Sequence, residues 1–490
     1  MSQFSTVDPT TAPPVVTVPR DYNATVDLID VNLVGGRGDR VAVVDDAGTT
    51  TYAELARRIN RCGNALKGLG LRFEQRIVML QLDSVDFPAV FLGAMRIGAV
   101  PVPVNTLLTP ADYAYILRDS RARQVTVSAA LYDRVKDAFR DQPFLEKVIV
   151  VGGSVPGLPT LDTLIADASP ELQPAATTRD DAAFWLYSSG STGAPKGVVH
   201  LHSHLVNTSE LYARPIMGIG PDDVVYSAAK LFFAYGLGNA LTFPFRVGAT
   251  AIYMAERPTP ASVARILRQH RPTIFCAVPT LYAAMLASPD LPAKEELRLR
   301  RCISAGEALP EDVGKRWAAR TGVDILDGIG STEMLHIFLS NRVDALRYGT
   351  TCLAVPGYEL RLIDEHGQEV TGDGIGELQV KGPTSTPGYW NNRAKSRETF
   401  LGPWTRSGDK YRRDADGYYV YCGRTDDMLK VGGIWVSPFE VEAALVNHES
   451  VLEAAVIGVE DESGLTSPRL TSSSSPARSE EHTSELQSRL

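Results

Sequence analysis

At 490 residues, with 44% hydrophobic and 22% charged positions, the chain is longer than one ordinary hydrophobic core serves, so two or more domains are expected. A formal charge of -9 argues against a nucleic-acid binder, which needs basic surface to neutralise phosphates. It still allows an anionic ligand held by a few lysines and backbone N–H groups.

The first nineteen residues, Met1 to Pro19, are rich in Thr and Pro and read as loose. Asn23 to Leu33 suits a first helix. Two strands, Arg40 to Val44 and Thr49 to Tyr52, flank a turn at Asp46-Ala47-Gly48. Leu55, Ile59, Cys62, Leu66 and Leu69 then recur at helical spacing, closed by Gly70. Arg76 to Gln81 is a buried strand, and Ser84 to Ile97 a helix ending at Gly98. Val100 to Val104 is a strand. Thr109 caps a helix that opens with Pro110. Gln124 to Ser128 and Lys147 to Val151 are further strands. Strands alternating with helices predict a mostly parallel sheet covered on both faces.

The stretch Tyr187-Ser-Ser-Gly-Ser-Thr-Gly-Ala-Pro-Lys-Gly197 follows an apolar strand end, Ala182 to Leu186. Its glycines admit positive φ and bring N–H groups close to a ligand. Its hydroxyls add donors, and Lys196 adds a point charge. This is chemistry for a polyphosphate. It is not the Walker A loop, which needs Gly-Lys followed by Ser or Thr at the head of a helix; here Pro195 precedes the lysine and Gly197 follows it. A Ser/Gly linker is the plainer alternative, and the apolar Val198 and Val199 that follow speak against it.

His200, His202 and His204 suggest a metal set, but no acidic or cysteine partner is near in sequence, and the spacing is not one helical face. Lys230 to Gly238 is aromatic and glycine-rich. It reads equally as core at a strand-to-helix turn or as an aromatic pocket wall. Further elements alternate: strand Ala249 to Met254, helix Pro260 to Gln269, strand Thr273 to Val278, helix Pro279 to Leu286, strand Arg301 to Ser304, helix Pro310 to Thr321. Asp324 to Glu333 ends a strand with Gly, hydroxyls and a carboxylate together. Glu333 is a candidate Mg²⁺ ligand, since hard cations on polyphosphate take carboxylate oxygen. From Tyr358 the texture changes to short alternating strands, a small β-rich subdomain. Thr405 to Asp409 and Gly423 to Lys430 carry charges at strand ends. A helix over Pro438 to Asn447 and a strand over Glu453 to Gly458 follow.

The five cysteines, Cys62, Cys276, Cys302, Cys352 and Cys422, are scattered and without metal-ligand spacing. They read as buried free thiols of a reducing compartment. No basic segment followed by an apolar core opens the chain, and the longest apolar run, Phe87 to Val104, is broken by Arg96, Pro101 and Pro103. Neither a secretory leader nor a membrane span is expected, and the cytoplasm is the default location.

The Ser/Thr/Gly-rich loop, Gly330-Ser-Thr-Glu333, Ser407-Gly-Asp409 and Gly423-Arg-Thr-Asp-Asp427 occur in one order. Together they resemble the acyl-adenylate-forming superfamily of acyl-CoA synthetases, nonribosomal-peptide adenylation domains and luciferases, over roughly residues 25 to 465. Ser227 to Asn239 and Gly330 to Asn341 resemble most the members that join aryl acids to coenzyme A.

The resemblance implies an α/β large domain over 23–425, with two mixed or parallel sheets, flanking helices and a small β-rich subdomain. A flexible stretch, 1–22, precedes it. A truncated C-terminal lid domain, incomplete α+β, covers 426–466, and a disordered tail 467–490. It implies that ATP and an aryl carboxylate, benzoate or a hydroxy- or aminobenzoate, form an acyl-adenylate. Coenzyme A then takes the acyl group, in a monomer or homodimer with neither nucleic-acid nor membrane partner.

By motif position, Ser188, Ser189, Gly190, Ser191, Thr192, Gly193 and Lys196 would hold the β- and γ-phosphates. Thr332 would contact the α-phosphate and Glu333 the Mg²⁺. Ser304, Ala305, Gly306, Glu307, Asp327, Gly328 and Ile329 would border the adenine. Asp409 and Arg424 would hold the ribose. Ala234, Tyr235, Gly306, His336 and Ile337 would wall the aryl pocket, His336 either bonding the ligand or serving as a satisfied core histidine. Asp426 would be a hinge, and Gly432 and Gly433 would line the path of the thiol arm. The pattern breaks near Leu465. Family members carry a lysine near the end of the lid that bonds the reacting carboxylate, and here no lysine follows Lys430. A separate reading, a non-catalytic binder of nucleotide and aryl acid, follows from that break.

Overall fold

Local signals set many of the helix ends. Thr51 stands in extended backbone, its hydroxyl accepts from Glu54 N, and the Glu54 carboxylate accepts from Thr51 N at 2.8 Å. This reciprocal cap satisfies two of the orphan donors at a helix start. The helix Tyr52–Gly68 follows, with Leu55, Ile59, Cys62 and Leu66 buried along one face. Thr109 and Thr259 cap Pro110–Ser120 and Pro260–His270 in the same way, each with proline in the first turn.

The computed structural model describes residues 4–188, 194–425, 429–431, 434–436, 438, 441–442, 445, 451–460 and 466–474. Four parallel strands, in the order Val100–Pro103, Arg76–Leu80, Gln124–Ser128, Lys147–Val151, make one sheet. A nine-stranded sheet has Val224–Ser227, Ile274–Ala277, Arg301–Ala305 and Ile325–Gly330 side by side and parallel at its centre, with antiparallel strands at both edges. Residues of one central strand alternate between two cores. Ile274 and Cys276 pack with Leu211, Phe243 and Ile303, whereas Phe275 and Ala277 pack with Leu267, Tyr282 and Trp317. Both faces are thus covered, as parallel strands require. A five-stranded antiparallel sheet, including Ile375–Lys381, Trp404–Arg413 and Tyr419–Arg424, forms the β-rich subdomain. The α/β class and the two-sheet architecture are as the sequence implied.

Two segments differ from expectation. The loose opening stretch contains a small hairpin, Thr6–Asp8 against Val15–Thr17. It is tied down by a buried charge cluster: Ser5 N donates to Asp27 Oδ2 at 3.1 Å, and Arg246 bridges Asp27 at 2.9 Å and Glu210 at 2.7 Å. Such partners lie far away in sequence, so composition could not reveal them. The tail, expected to be disordered from Ser467, instead begins as a strand, Thr466–Ser474, paired antiparallel with Val451–Glu460. Its Ser and Thr residues suit the pairing groups of a free strand edge. Most of the helix expected over Pro438 to Asn447 lies outside the described residues. All five cysteines are buried. Among the described residues no helix is long and apolar enough to cross a membrane.

Candidate active site

The strand Ala182–Ser188 turns back as Lys196–Leu201, with Ser188 opposite Lys196. The phosphate-type loop therefore joins two strands of a ribbon, not a strand to a helix. Lys196 thus stands on a strand and not at the head of a helix, and among the described residues of this segment it is the one that brings positive charge. Ser189, Gly190, Ser191, Thr192 and Gly193 lie outside the described residues. Ser188 Oγ is buried without a partner. The ribbon is fixed at its root: Tyr187 donates to Asp119 Oδ2 at 2.6 Å, and Trp185 lies 4.6 Å from Trp390, ring to ring. The Lys196 ammonium sits 5.0 Å from the centre of the Tyr389 ring.

The central strands Arg301–Ala305 and Ile325–Gly330 end side by side, and their carboxyl ends open into turns, the place where parallel α/β sheets bind ligands. Gly306 follows the first, at φ +98°. Gly330 ends the second; a Cβ there would meet His336 O at 2.6 Å, so only glycine fits. Next come Ser331, Thr332 and Glu333. Met334 N donates to Ser331 Oγ at 3.2 Å, and Leu335 takes a positive φ of 68°, which turns the chain sharply. Glu333 Oε1 accepts from the Tyr389 hydroxyl at 2.8 Å. Among the described residues no cluster of three His, Cys, Asp or Glu could hold a metal by itself. One carboxylate beside two hydroxyl residues fits a Mg²⁺ whose other ligands are phosphate and water.

Asp409 and Arg424 face each other on paired strands, Arg424 Nη1 donating to Asp409 Oδ1 at 3.0 Å. Burial outweighs that arginine and raises Asp409 to about 6. Asp327 is buried beside Ser304 on the neighbouring strand. Desolvation pushes its carboxyl up to about 7, against the pull of Ser304, and its Oδ1 has no partner. Ala305 and Gly328 are neighbours across the same pair of strands. Ile329 is half-buried against the core. Glu307 is turned to Thr280, whose N–H donates to it at 3.3 Å.

Ala234 and Tyr235 begin the short helix Ala234–Leu237. The Tyr235 hydroxyl donates toward two strand-end carbonyls, Ile303 O at 3.0 Å and Ala277 O at 3.3 Å. That fixes the ring and leaves it only an apolar face to offer. His336 is 3% exposed, with ring centres of Phe243, Tyr212 and Tyr235 at 4.6, 4.9 and 5.8 Å. Burial lowers it to about 3, so it is a neutral imidazole, and neither ring nitrogen has a hydrogen-bond partner. It is a core histidine but not a satisfied one. Ile337 is buried opposite Gly330.

A cleft of about 960 Å³ brings Lys196, Gly306, Thr332, Glu333, Asp409 and Arg424 together. Ser304, Ala305, Glu307, Asp327, Gly328 and Ile329 do not line it, nor do the aryl-pocket candidates Ala234, Tyr235, His336 and Ile337. Asp426, Gly432 and Gly433 lie outside the described residues. Sequence reasoning missed Tyr389, and the Arg406–Glu377 pair, which closes at 2.7 Å in the same cleft. The signal for the first was Pro387-Gly388 placed before two aromatics, Tyr389 and Trp390. The three histidines are core instead: His200 and His204 meet at 3.2 Å through Nδ1, while His202 Nδ1 accepts from Ala24 N at 3.1 Å.

The cleft thus sets a lysine, a hydroxyl–carboxylate turn and an aspartate–arginine pair together, groups whose chemistry suits a nucleoside triphosphate. The chain belongs to the AMP-binding enzyme family, which matches residues 33–390. It is 59% identical over 471 residues to the benzoate–CoA ligase of Thauera aromatica, covering 96% of this chain and 89% of that protein. It is 52% identical over 452 residues to the 4-hydroxybenzoate–CoA/benzoate–CoA ligase of Rhodopseudomonas palustris, covering 92% and 84%. The crystal structure of a benzoate CoA ligase from Burkholderia xenovorans LB400 superposes with a TM-score of 0.87 at 53% identity, covering 94% of this chain and 91% of that one.

Proposed function

We propose that this chain joins benzoate to coenzyme A in two steps, through benzoyl-adenylate, with release of pyrophosphate and then AMP. The observation that carries the reading is the cleft that gathers Lys196, Thr332, Glu333 and the Asp409–Arg424 pair, with Gly330 on its lining paired to Ile337, next in the chain to the His336 of the Tyr235–Phe243–His336 ring cluster.

A carboxylate is a poor acyl donor, and adenylation turns its oxygen into a good leaving group. The protein's part is positioning and charge stabilisation. Asp409 accepts from ribose hydroxyls and Arg424 donates to them from a rigid fork. The Thr332 hydroxyl would bond the α-phosphate under attack. Mg²⁺ bound with ATP would draw negative charge from the phosphate oxygens, with Glu333 as its protein ligand. Lys196 stabilises the departing pyrophosphate. Tyr235, Ile337 and neutral His336 supply a flat pocket that receives an uncharged ring at little desolvation cost. Coenzyme A then presents its thiol to the acyl carbon, and AMP leaves.

The test is pyrophosphate release with a panel of benzoate, hydroxybenzoates, aminobenzoates and medium-chain fatty acids, together with thioester formation from supplied benzoyl-adenylate and coenzyme A. Benzoate is expected to give the highest kcat/KM, and the thioester to depend on coenzyme A. A fatty acid preferred to every aryl acid would overturn the reading.

A further inference from the structure

Lys196 and Glu333 carry opposite charges in one cleft, yet among the described residues neither forms an ion pair. A direct bridge between them would cancel in each the charge that phosphate and cation require. One side chain stands between them. We propose that Tyr389 is a positioning residue that keeps this lysine and this carboxylate apart and ready. Its hydroxyl donates to Glu333 Oε1 at 2.8 Å, and its ring holds the Lys196 ammonium 5.0 Å from its centre.

The two contacts use different parts of the phenol. The negative face of the ring attracts a cation, while the O–H gives a charge-assisted bond to a carboxylate. Each group gains a partner that leaves its charge uncancelled.

The ring is held from several sides. Tyr389 bridges Val198, and Trp390 N donates to Gly197 O at 2.8 Å, so the segment is tied to the strand that bears Lys196. Thr386 N donates to Glu333 O at 2.9 Å, which ties it to the turn that bears the carboxylate. Ser396 Oγ accepts from Tyr389 N at 3.0 Å, and the Phe400 ring lies 5.2 Å away. One short segment thus sets the spacing between two functional groups that come from different sheets.

The inference rests on reading Lys196 as the phosphate-side group and Glu333 as the cation-side group. Its test is equilibrium ATP binding by titration calorimetry, with and without Mg²⁺, on the full chain as wild type, Y389F, Y389L, E333Q and Y389L/E333Q, with a thermal melt for each. Y389F keeps the ring, so Mg²⁺-free ATP binding stays within about twofold, while the gain from Mg²⁺ shrinks several-fold. Y389L lets the lysine reach the carboxylate, and Mg²⁺-free binding falls about tenfold. Adding E333Q to Y389L frees the lysine, so E333Q improves Mg²⁺-free binding several-fold more in the Y389L background than in wild type. A merely structural tyrosine does not produce this non-additivity. Additive effects, or Y389L binding as wild type does, would overturn the proposal. If Y389L melts well below wild type, Y389M carries the same cycle. Unchanged ATP binding in K196A would instead sink the site reading beneath it.

Discussion

Asp327 offers a prediction whose magnitude follows from the structure. Its carboxyl is buried, Oδ1 has no partner, and desolvation moves it from near 3.8 to about 7. A folded-state pKa above the unfolded value means that the native state binds protons more tightly. The unfavourable contribution is therefore absent below about pH 4, grows as pH rises, and is complete above about pH 7. At about 1.4 kcal/mol per tenfold in proton affinity, the whole effect is about 4 kcal/mol. Between about pH 5 and about pH 8, the part that changes is about 2 to 3 kcal/mol. Asp327→Asn removes the ionisation and keeps the shape. It also buries a new amide, but that cost is the same at both pH values and cancels in the comparison. Urea unfolding of both chains at the two pH values gives the double difference. Asp83 and Asp409, each raised to about 6 by burial, add slopes of the same sign to both chains and also cancel. D327N is expected to gain on wild type by that amount as pH rises. Parallel stability profiles would refute the account of Asp327 as an unpaired buried acid.

Two further outcomes are expected. A methyl at Gly238 would lie 2.5 Å from His336 Cδ2 and 3.0 Å from Phe243 Cζ; G238A should raise the KM for benzoate about tenfold by displacing the imidazole, with ATP binding by calorimetry unchanged. A polypeptide of these 490 residues has no lysine after Lys430. Its pyrophosphate release with benzoate should be at least about a hundredfold slower than that of a chain given a full family lid domain with its lysine, the usual scale of one lost charge-stabilising donor; equal rates would reject this.

Some of the molecule was already determined by short-range chemistry. Thr51 and Glu54, or Thr109 before Pro110, announce a helix start because both capping partners lie within one turn. The period of Leu55, Ile59, Cys62 and Leu66 announces the buried face, and four polar motifs in one order point to the family. Tertiary structure decided the rest, because burial and opposition are set by residues distant in sequence. That Asp327 is stripped of water, and that both nitrogens of His336 lack partners, depends on strands and rings brought in from elsewhere. The opening residues are held by Arg246 through Asp27, a partnership that no local pattern encodes. The Ser/Gly loop has the composition of a phosphate site, but only the pairing of Ser188 with Lys196 shows that the strands flanking it form a ribbon. Only the tertiary structure brings the segment ending at Tyr389 and Trp390 against both the strand that bears Lys196 and the turn at Glu333.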